Sequence, residues 1–494
     1  MDVLLINPPW MTKDGNIWHG VKSTSPPLGL LYVAAYAEQH GFAVHVMDVN
    51  AERLSFEDIE AFVARHQPPW VGLTAVTAQI MNTYRLAGII KRVSPKTKIV
   101  VGGVHAHAMP DEVLRDEHVD YVIRGEGEIP FHRLISGEPL ASVGGLSYRS
   151  GNPLQPVAHN AEGDPIKDLD SLPTPAYHLI RFERYKPAVG AYRRLPSINM
   201  TMTRGCPGKC TFCNSAETAL RTHSADYVVA EIEKLQARYG IREVSFYDDT
   251  FTIFKQSVLQ FCHRVVERKL DLTWSCFART DCVSPKLLKQ MKSAGCHQIL
   301  FGIESADERI LQNIRKPIDL DLTRRAVRMV QEAGIAVRAA FMFGNPGETI
   351  ESMRRTIDFA VELDPDIAVF NITTPYPGTQ MFTWALKNGY LRTLDWNEYD
   401  LANSVLELPT VSREDINTMY RTAYREFYFR PRYLWRRMRS LTSWDDFKMN
   451  VGALRSIMFV RDTAVRPHRR KAKNGGADDR TVSPRPQPVM EVCT

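Results

Sequence analysis

Three cysteines of this 494-residue chain, Cys206, Cys210 and Cys213, fall within the stretch Met202-Thr203-Arg204-Gly205-Cys206-Pro207-Gly208-Lys209-Cys210-Thr211-Phe212-Cys213. The remaining five, Cys262, Cys276, Cys282, Cys296 and Cys493, are scattered singly. Thiolates are nucleophiles and soft metal ligands, so three on one short loop ask first for a chemical reading. A structural zinc site wants four nitrogen or sulfur ligands, usually with the thiolates in spaced pairs, and neither a second pair nor a nearby His-x-His completes one. A disulfide framework belongs to short secreted chains. Packing cysteines need no fixed spacing. Three neighbouring thiolates suit a [4Fe–4S] cluster in which the protein ligates three irons and leaves the fourth open to a substrate or cofactor.

Such a loop has to be delivered by something rigid. Residues 197–202 read as a strand ending at the cysteines, and five more strands follow at 243–247, 272–277, 298–303, 337–343 and 367–372. Amphipathic helices separate them at 227–239, 258–268, 285–293, 322–333 and 350–363. Six βα units predict a partial, six-stranded β/α barrel over 197–380, whose active-site residues belong at the carboxyl ends of the strands. Polar residues cluster at those ends: Asp248 and Asp249, then Arg279, then Glu304 in Gly302-Ile303-Glu304-Ser305. Two glycine-proline turns follow, Gly344-Asn345-Pro346-Gly347-Glu348-Thr349 and Thr374-Pro375-Tyr376-Pro377-Gly378-Thr379. An aliphatic core would not need carboxylates at successive strand ends.

An earlier alternating series occupies residues 1–140. Apolar runs at 3–7, 43–48, 70–74, 99–102 and 121–124 read as buried parallel strands, with helical spacing at 30–40, 56–66, 80–94 and 110–115. Strict alternation predicts a doubly wound, Rossmann-like sheet that takes ligands beyond the carboxyl ends of its strands. Those ends carry Asn7-Pro8-Pro9, Thr74, Gly102-Gly103-Val104-His105 and Gly125-Glu126-Gly127-Glu128, small residues that let a bulky flat ligand approach the backbone. Residues 141–196 lose periodicity and read as a proline-punctuated linker with one hairpin. Residues 381–462 interleave aromatic residues and arginines at helical spacing and read as a helical cap over the barrel mouth. The tail, 463–494, reads as disordered.

Composition sets outer limits. An apolar content of 44% and a charged content of 24% fit an ordinary globular protein, and no run approaches the ~20 apolar residues a membrane span needs. The first ten residues lack a basic n-region and a sustained apolar h-region, so cytoplasmic residence is expected. The net charge of +6 is too modest to call for nucleic acid.

The CxxxCxxC spacing with Phe212 before the last cysteine resembles the signature of the radical S-adenosylmethionine enzymes. The N-terminal Asn-Pro-Pro, the Gly-Gly-Val-His and the Gly-Glu-Gly-Glu resemble the cobalamin-binding domain that precedes the radical module in one large subgroup. The resemblance implies three cofactors: a [4Fe–4S] cluster on Cys206, Cys210 and Cys213, S-adenosylmethionine on its open iron, and cobalamin on the first domain. It implies cofactor contacts from Phe212, Asp248, Asp249, Arg279 and Glu304, the last holding the ammonium of the methionine moiety. On the cobalamin side it implies Asn7, Thr74, Gly102, Gly103, His105, Gly125 and Glu126. The DxHxxG that places a histidine beneath cobalt elsewhere is absent, leaving His105 and His107 as candidates to line the pocket. The implied reaction is methylation of an unactivated carbon of a small molecule. Similarity to the anaerobic magnesium-protoporphyrin monomethyl ester cyclase keeps ring formation open, and a non-catalytic cobalamin sensor stands as the reading from another class. A reducing partner such as flavodoxin or ferredoxin follows from the cluster.

Overall fold

The computed structural model describes residues 1–10, 24–188, 190–401 and 403–439. The first sheet has seven strands: β1 (Val3–Asn7), β2 (Val44–Asp48), β3 (Trp70–Thr74), β4 (Lys98–Gly102), β5 (Tyr121–Ile123), β6 (Leu146–Asn152) and β7 (Gln155–His159). Their order is β2-β1-β3-β4-β5-β6-β7, with β1 to β5 parallel and β6 and β7 antiparallel. The reversal between β1 and β3 opens a crevice at their carboxyl ends, the place a doubly wound sheet offers a ligand. Helices cover both faces, so Leu4, Leu5, Ile6, Val71 and Val101 are buried without alternation. The hairpin expected in the linker is β6–β7. It extends the first sheet instead of floating between regions, because β5 exposes an unpaired edge that β6 satisfies through Tyr121↔Tyr148 and Ile123↔Leu146.

The second sheet consists of β8 (Ser197–Met200), β11 (Glu243–Phe246), β12 (Thr273–Ala278), β13 (Cys296–Glu304), β14 (Ala336–Phe343) and β15 (Ile367–Ile372). All six are parallel and pair in sequence order. Between them, β9 (Thr203–Arg204) and β10 (Arg221–Thr222) form a short antiparallel ribbon. Helices pack on one face only, so burial alternates along β12, β14 and β15, with every second residue facing a lumen. At the amino ends, Glu243 accepts hydrogen bonds from the backbone N–H of Arg193 and Arg194 at 2.7 and 2.6 Å, drawing the end of the expected linker across the lumen floor.

The carboxyl-terminal region is helical as expected. Its helix Arg413–Tyr428 packs on β14 and along the edge of β15, with Ile416 beside Gly344 at the carboxyl end of β14. An edge strand presents unpaired backbone groups, and here tyrosines meet them. The hydroxyls of Tyr424, Tyr428 and Tyr433 donate to the carbonyls of Phe370, Ala368 and Asp366 at 3.0, 2.7 and 3.1 Å. Arg430 and Arg436 pair with Asp364. Residues 440–462 of the expected cap, including Trp444, and the expected tail lie outside the described residues. Among the described residues, no helix is long and apolar enough to cross a membrane.

Candidate active site

The cysteine loop leaves β8 and is pinched at its base by the β9–β10 ribbon. Gly205 closes this base at φ +89°, where a Cβ would sit 2.2 Å from the Ala219 carbonyl oxygen, so no other residue fits. The backbone N–H of Thr218 donates to Cys206 O at 3.0 Å and that of Glu217 to Gly208 O at 2.8 Å, folding the loop on itself. Its outer side is docked: Thr211 N donates to Ile314 O at 3.0 Å, Met381 N donates to Thr211 O at 2.8 Å, and Phe212 packs beside Leu311, Ile314 and Met381. Phe212 therefore anchors the loop as well as bordering the thiols.

The three thiols are free and half-buried. Burial pushes the thiols of Cys210 and Cys213 up, while Lys316 and Arg279 pull Cys210 the other way, so a metal must displace protons to bind. Among the described residues no three His, Cys, Asp or Glu side chains are already gathered at metal-ligand spacing. The donor set nevertheless fits an iron–sulfur cluster: three thiols share one docked loop and feel one another electrostatically. A Cβ on Gly208 would lie 3.2 Å from Cys206 Sγ and 4.0 Å from Cys210 Sγ, so the bare glycine leaves space beside both sulfurs.

The acidic pair divides. Asp248 is fully buried and accepts from the N–H of Met202 and Thr203 and from Thr203 Oγ1. It does not face a cofactor as expected, because its oxygens are taken up in fastening the start of the cysteine loop. Burial pushes its carboxyl up to about 7. Asp249 is exposed and lies within electrostatic reach of Cys213. Arg279 makes a two-pronged pair with Asp281 at 3.0 and 2.8 Å, and its charge reaches Cys210. Glu304 sits at φ +67° where the β13–β14 register shifts, and its Oε1 is 2.6 Å from Lys316 Nζ. Lys316 in turn lies 6.0 Å from the Phe212 ring. An ammonium thus already occupies the position in which the resemblance puts the ammonium of a methionine moiety.

At the carboxyl ends of the first sheet a chamber of about 1420 Å³ opens, lined by Asn7, Thr74, Gly102, Gly103, Gly125 and Glu126. From the second sheet's side it is bounded by Asn199, Thr201, Arg204, Tyr247 and Tyr376. Gly103, at φ +95°, could not carry a Cβ, which would fall 2.7 Å from the Ala75 carbonyl oxygen. The Asn-Pro-Pro turn is held by Gln79, whose amide donates to Asn7 Oδ1 at 3.0 Å and Pro8 O at 2.7 Å. His105 corrects the sequence reading. It is buried away from the chamber, with Nδ1 3.1 Å from Thr77 Oγ1 and its ring edge-on to Trp396. His107 Nδ1 accepts from the N–H of Gly125 at 3.1 Å and so braces the turn. Among the described residues, no histidine lines the chamber.

Glu126 also does more than line the wall. With Glu128 it grips the base of the cysteine loop: Glu126 pairs with Arg204 at 3.2 Å and Arg221 at 2.9 Å, and Glu128 with Arg204 at 2.8 Å. These arginines hold Glu126 below the usual glutamate range against the opposing effect of burial. Arg204, Arg221 and Lys316 were not picked out from sequence. The signal available was opposite charge, with arginines flanking a cysteine loop and acids ending a distant strand, but nothing in the sequence paired them.

Two family descriptions match the chain, the B12 binding domain over residues 18–135 and the radical SAM superfamily over 200–360. An uncharacterized methyltransferase of Pyrococcus horikoshii is 36% identical over 443 residues, covering 88% of this chain and 94% of that protein. The anaerobic magnesium-protoporphyrin IX monomethyl ester cyclase of Rubrivivax gelatinosus is 28% identical, covering 88% and 78%. The cobalamin-dependent S-adenosylmethionine radical enzyme OxsB, solved with aqua-cobalamin and S-adenosylmethionine bound, superposes with a TM-score of 0.70 over 92% of this chain and 71% of that one. At 16% identity it establishes the common fold.

Proposed function

The chain belongs to the family of cobalamin-binding radical S-adenosylmethionine enzymes, and on that premise we propose that it transfers a methyl group to an unactivated carbon of a small molecule. The observation that carries this reading is the chamber. At about 1420 Å³ it exceeds the roughly 300–1,000 Å³ of an ordinary ligand site, and it is walled by the first sheet's carboxyl ends and by residues of the second. A corrinoid and a substrate can share it. The 36% identity to a protein named a methyltransferase, against 28% to the cyclase, favours methyl transfer over ring formation.

In this reading Cys206, Cys210 and Cys213 hold the [4Fe–4S] cluster. Glu304, which holds Lys316 at 2.6 Å, would hold the ammonium of S-adenosylmethionine, and Asn7, Thr74, Gly102, Gly103 and Gly125 would form the bed for cobalamin. The bound cofactors supply the electron, the radical and the methyl group. The protein's own part is positional: Asp248 fixes the origin of the cysteine loop, Arg204 and Arg221 fix its base against Glu126 and Glu128, and Phe212 docks its outer side. A one-electron donor of the flavodoxin or ferredoxin kind and cytoplasmic residence complete the proposal, since reduced thiols and a low-potential cluster need both.

The test is product analysis with methyl-deuterated S-adenosylmethionine and a small-molecule extract as the substrate source. We expect S-adenosylhomocysteine and 5′-deoxyadenosine in about equal amounts and a product carrying the deuterated methyl, because the cofactors fix the stoichiometry. Product formed with 5′-deoxyadenosine but neither S-adenosylhomocysteine nor label would establish ring formation instead.

A further inference from the structure

The lumen of the second sheet is not filled in the way a barrel core normally is. Barrels of this kind pack layers of branched aliphatic side chains inside, yet one layer here is polar on four neighbouring strands before it reaches Ala336. Asn199 of β8 pairs in register with Ser245, Ser245 with Ser275, and Ser275 with Gln298. Ser275 Oγ lies 3.3 Å from Ser245 Oγ. Two acceptors in this layer, Asn199 Oδ1 and Gln298 Oε1, are buried and have no hydrogen-bond partner. Their amide nitrogens are used, donating to Pro26 O at 3.1 Å and Gly190 O at 2.9 Å, so the oxygens are the ends left to a ligand.

The next layer towards the chamber contains Tyr247, Phe277, Leu300, Arg338 and Ile367. Phe277 is in register with Leu300, Leu300 with Arg338, and Arg338 with Ile367, while Tyr247 stacks on Phe277 with ring centres 5.3 Å apart. Arg338 is the cation of this layer. Its Nε is buried without a hydrogen-bond partner, and among the described residues no carboxylate pairs with it. The titratable groups that influence it are the phenols of Tyr247 and Tyr428, and burial lowers its basicity. Arg338 as a whole is half-buried; a guanidinium partly withdrawn from water without a counter-charge is costly, and its planar fork matches a carboxylate or a phosphoryl group. Tyr247 and Asn199, one residue from each layer, line the chamber, so the chamber meets the lumen at these two side chains, with Gln298 and Arg338 further round the same two layers.

We propose that Arg338 receives an anionic group, carboxylate or phosphoryl, of the molecule that undergoes the reaction, and that Asn199 Oδ1 and Gln298 Oε1 accept from hydroxyl or amine donors on the same molecule. The assignment rests on reading this chamber as the reaction site. It makes the substrate a polar, anionic small molecule and excludes a purely apolar polycycle.

The test uses the full chain and phenylglyoxal, a dicarbonyl that modifies accessible arginines, with labelling read by peptide mass spectrometry. Arg338 should be modified both in the bare chain and in the holoenzyme loaded with cluster, cobalamin and S-adenosylmethionine. Inorganic phosphate or acetate should slow modification of the holoenzyme about tenfold, in line with a charge-assisted contact, and the stronger of the two identifies the group. Arg338→Lys should keep the thermal stabilisation given by that anion, and Arg338→Gln should lose it. Failure of Arg338 to label in the bare chain, or labelling indifferent to both anions, overturns the proposal. Labelling in the bare chain that the cofactors alone abolish also overturns it, because the anion would then be the cobalamin phosphate or the carboxylate of S-adenosylmethionine. Methyl transfer is not needed for this readout, so an anion site found in a chain that transfers no methyl group would sink the reaction and keep the site.

Discussion

The two parallel sheets obey the same βα grammar and face their carboxyl ends to one chamber, yet they present different surfaces to it. In the first, helices on both sides leave Leu4, Leu5, Ile6, Val71 and Val101 buried alike, and only the strand ends, at Asn7, Thr74, Gly102 and Gly103, reach a ligand. In the second, helices on one side only leave alternate residues such as Ser275, Phe277, Arg338 and Asn371 facing a lumen. A sheet covered twice offers a rim, and a sheet covered once offers a wall. The first suits a cofactor that lies flat on small residues. The second suits a loop-borne cluster and a substrate held by side chains. Glu126 and Glu128, gripping Arg204 and Arg221, join the rim to the wall.

Breaking the wall's chemistry should give the largest effect. Cys206→Ala, Cys210→Ala or Cys213→Ala should abolish the cluster, about four iron and four sulfide per chain, together with all cleavage of S-adenosylmethionine. Cys262→Ala and Cys296→Ala, buried in the core away from the loop, should keep both. Iron and sulfide assay with 5′-deoxyadenosine quantification decides.

Breaking the joint comes next. Glu128→Gln removes one partner of Arg204, whose side chain is only 17% exposed, and should cost about 3 kcal/mol, the expected range when a buried pair loses one charge. In a denaturant titration the single unfolding transition should shift or split in two. A curve superimposable on wild type would show that the two regions are joined elsewhere.

A third test titrates the seam. Glu231, on helix Ala225–Tyr239, is buried beside Tyr32 and Tyr177, and burial pushes its carboxyl up to about 8. The folded chain keeps a proton there that the unfolded chain gives up near the ordinary value of 4.5. Stability from this group is therefore complete in acid and lost as pH rises towards 8, by about 1.4 kcal/mol per pH unit at most. Glu231→Gln, neutral throughout, should flatten that part of a melting-temperature profile between pH 5 and 8.

The smallest effect is at the sealed edge. Tyr428→Phe removes one hydroxyl bonded to the Ala368 carbonyl and should destabilise the chain by about 1 kcal/mol without altering cluster content.

How much of this was legible in the sequence follows from the same contrast. The strands, the loop and the chamber's glycines were legible because burial and turn geometry leave local marks: apolar runs, Gly102-Gly103, three spaced cysteines. Asp248 and His105 were misplaced because a sequence names a polar residue at a strand end but not which way it turns. Asp248 turned inward to the N–H groups of Met202 and Thr203, and His105 towards Trp396, nearly three hundred residues away. The arginine clamp and the tyrosine seal were illegible for the same reason, since each is a long-range pairing between segments unremarkable alone. Arg338 did leave a mark, a lone charge in the strand Ala336–Phe343, but only the alternating burial of that strand shows that the charge faces a lumen.

The central claim, that the first sheet's rim beds the corrinoid while the loop on the second carries the cluster, is tested most directly by cofactor content after anaerobic reconstitution of the full chain and of Gly102→Phe. A Cβ on Gly102 would meet only the Ile123 carbonyl oxygen, at 4.0 Å, and Gly102 lines the chamber, so phenylalanine there fills the bed without requiring a positive φ. The account predicts one corrinoid and about four iron per wild-type chain, and for Gly102→Phe an unchanged iron content with corrinoid lost. Corrinoid retained at the wild-type level in Gly102→Phe, with the side chain in place and the fold intact, would contradict it.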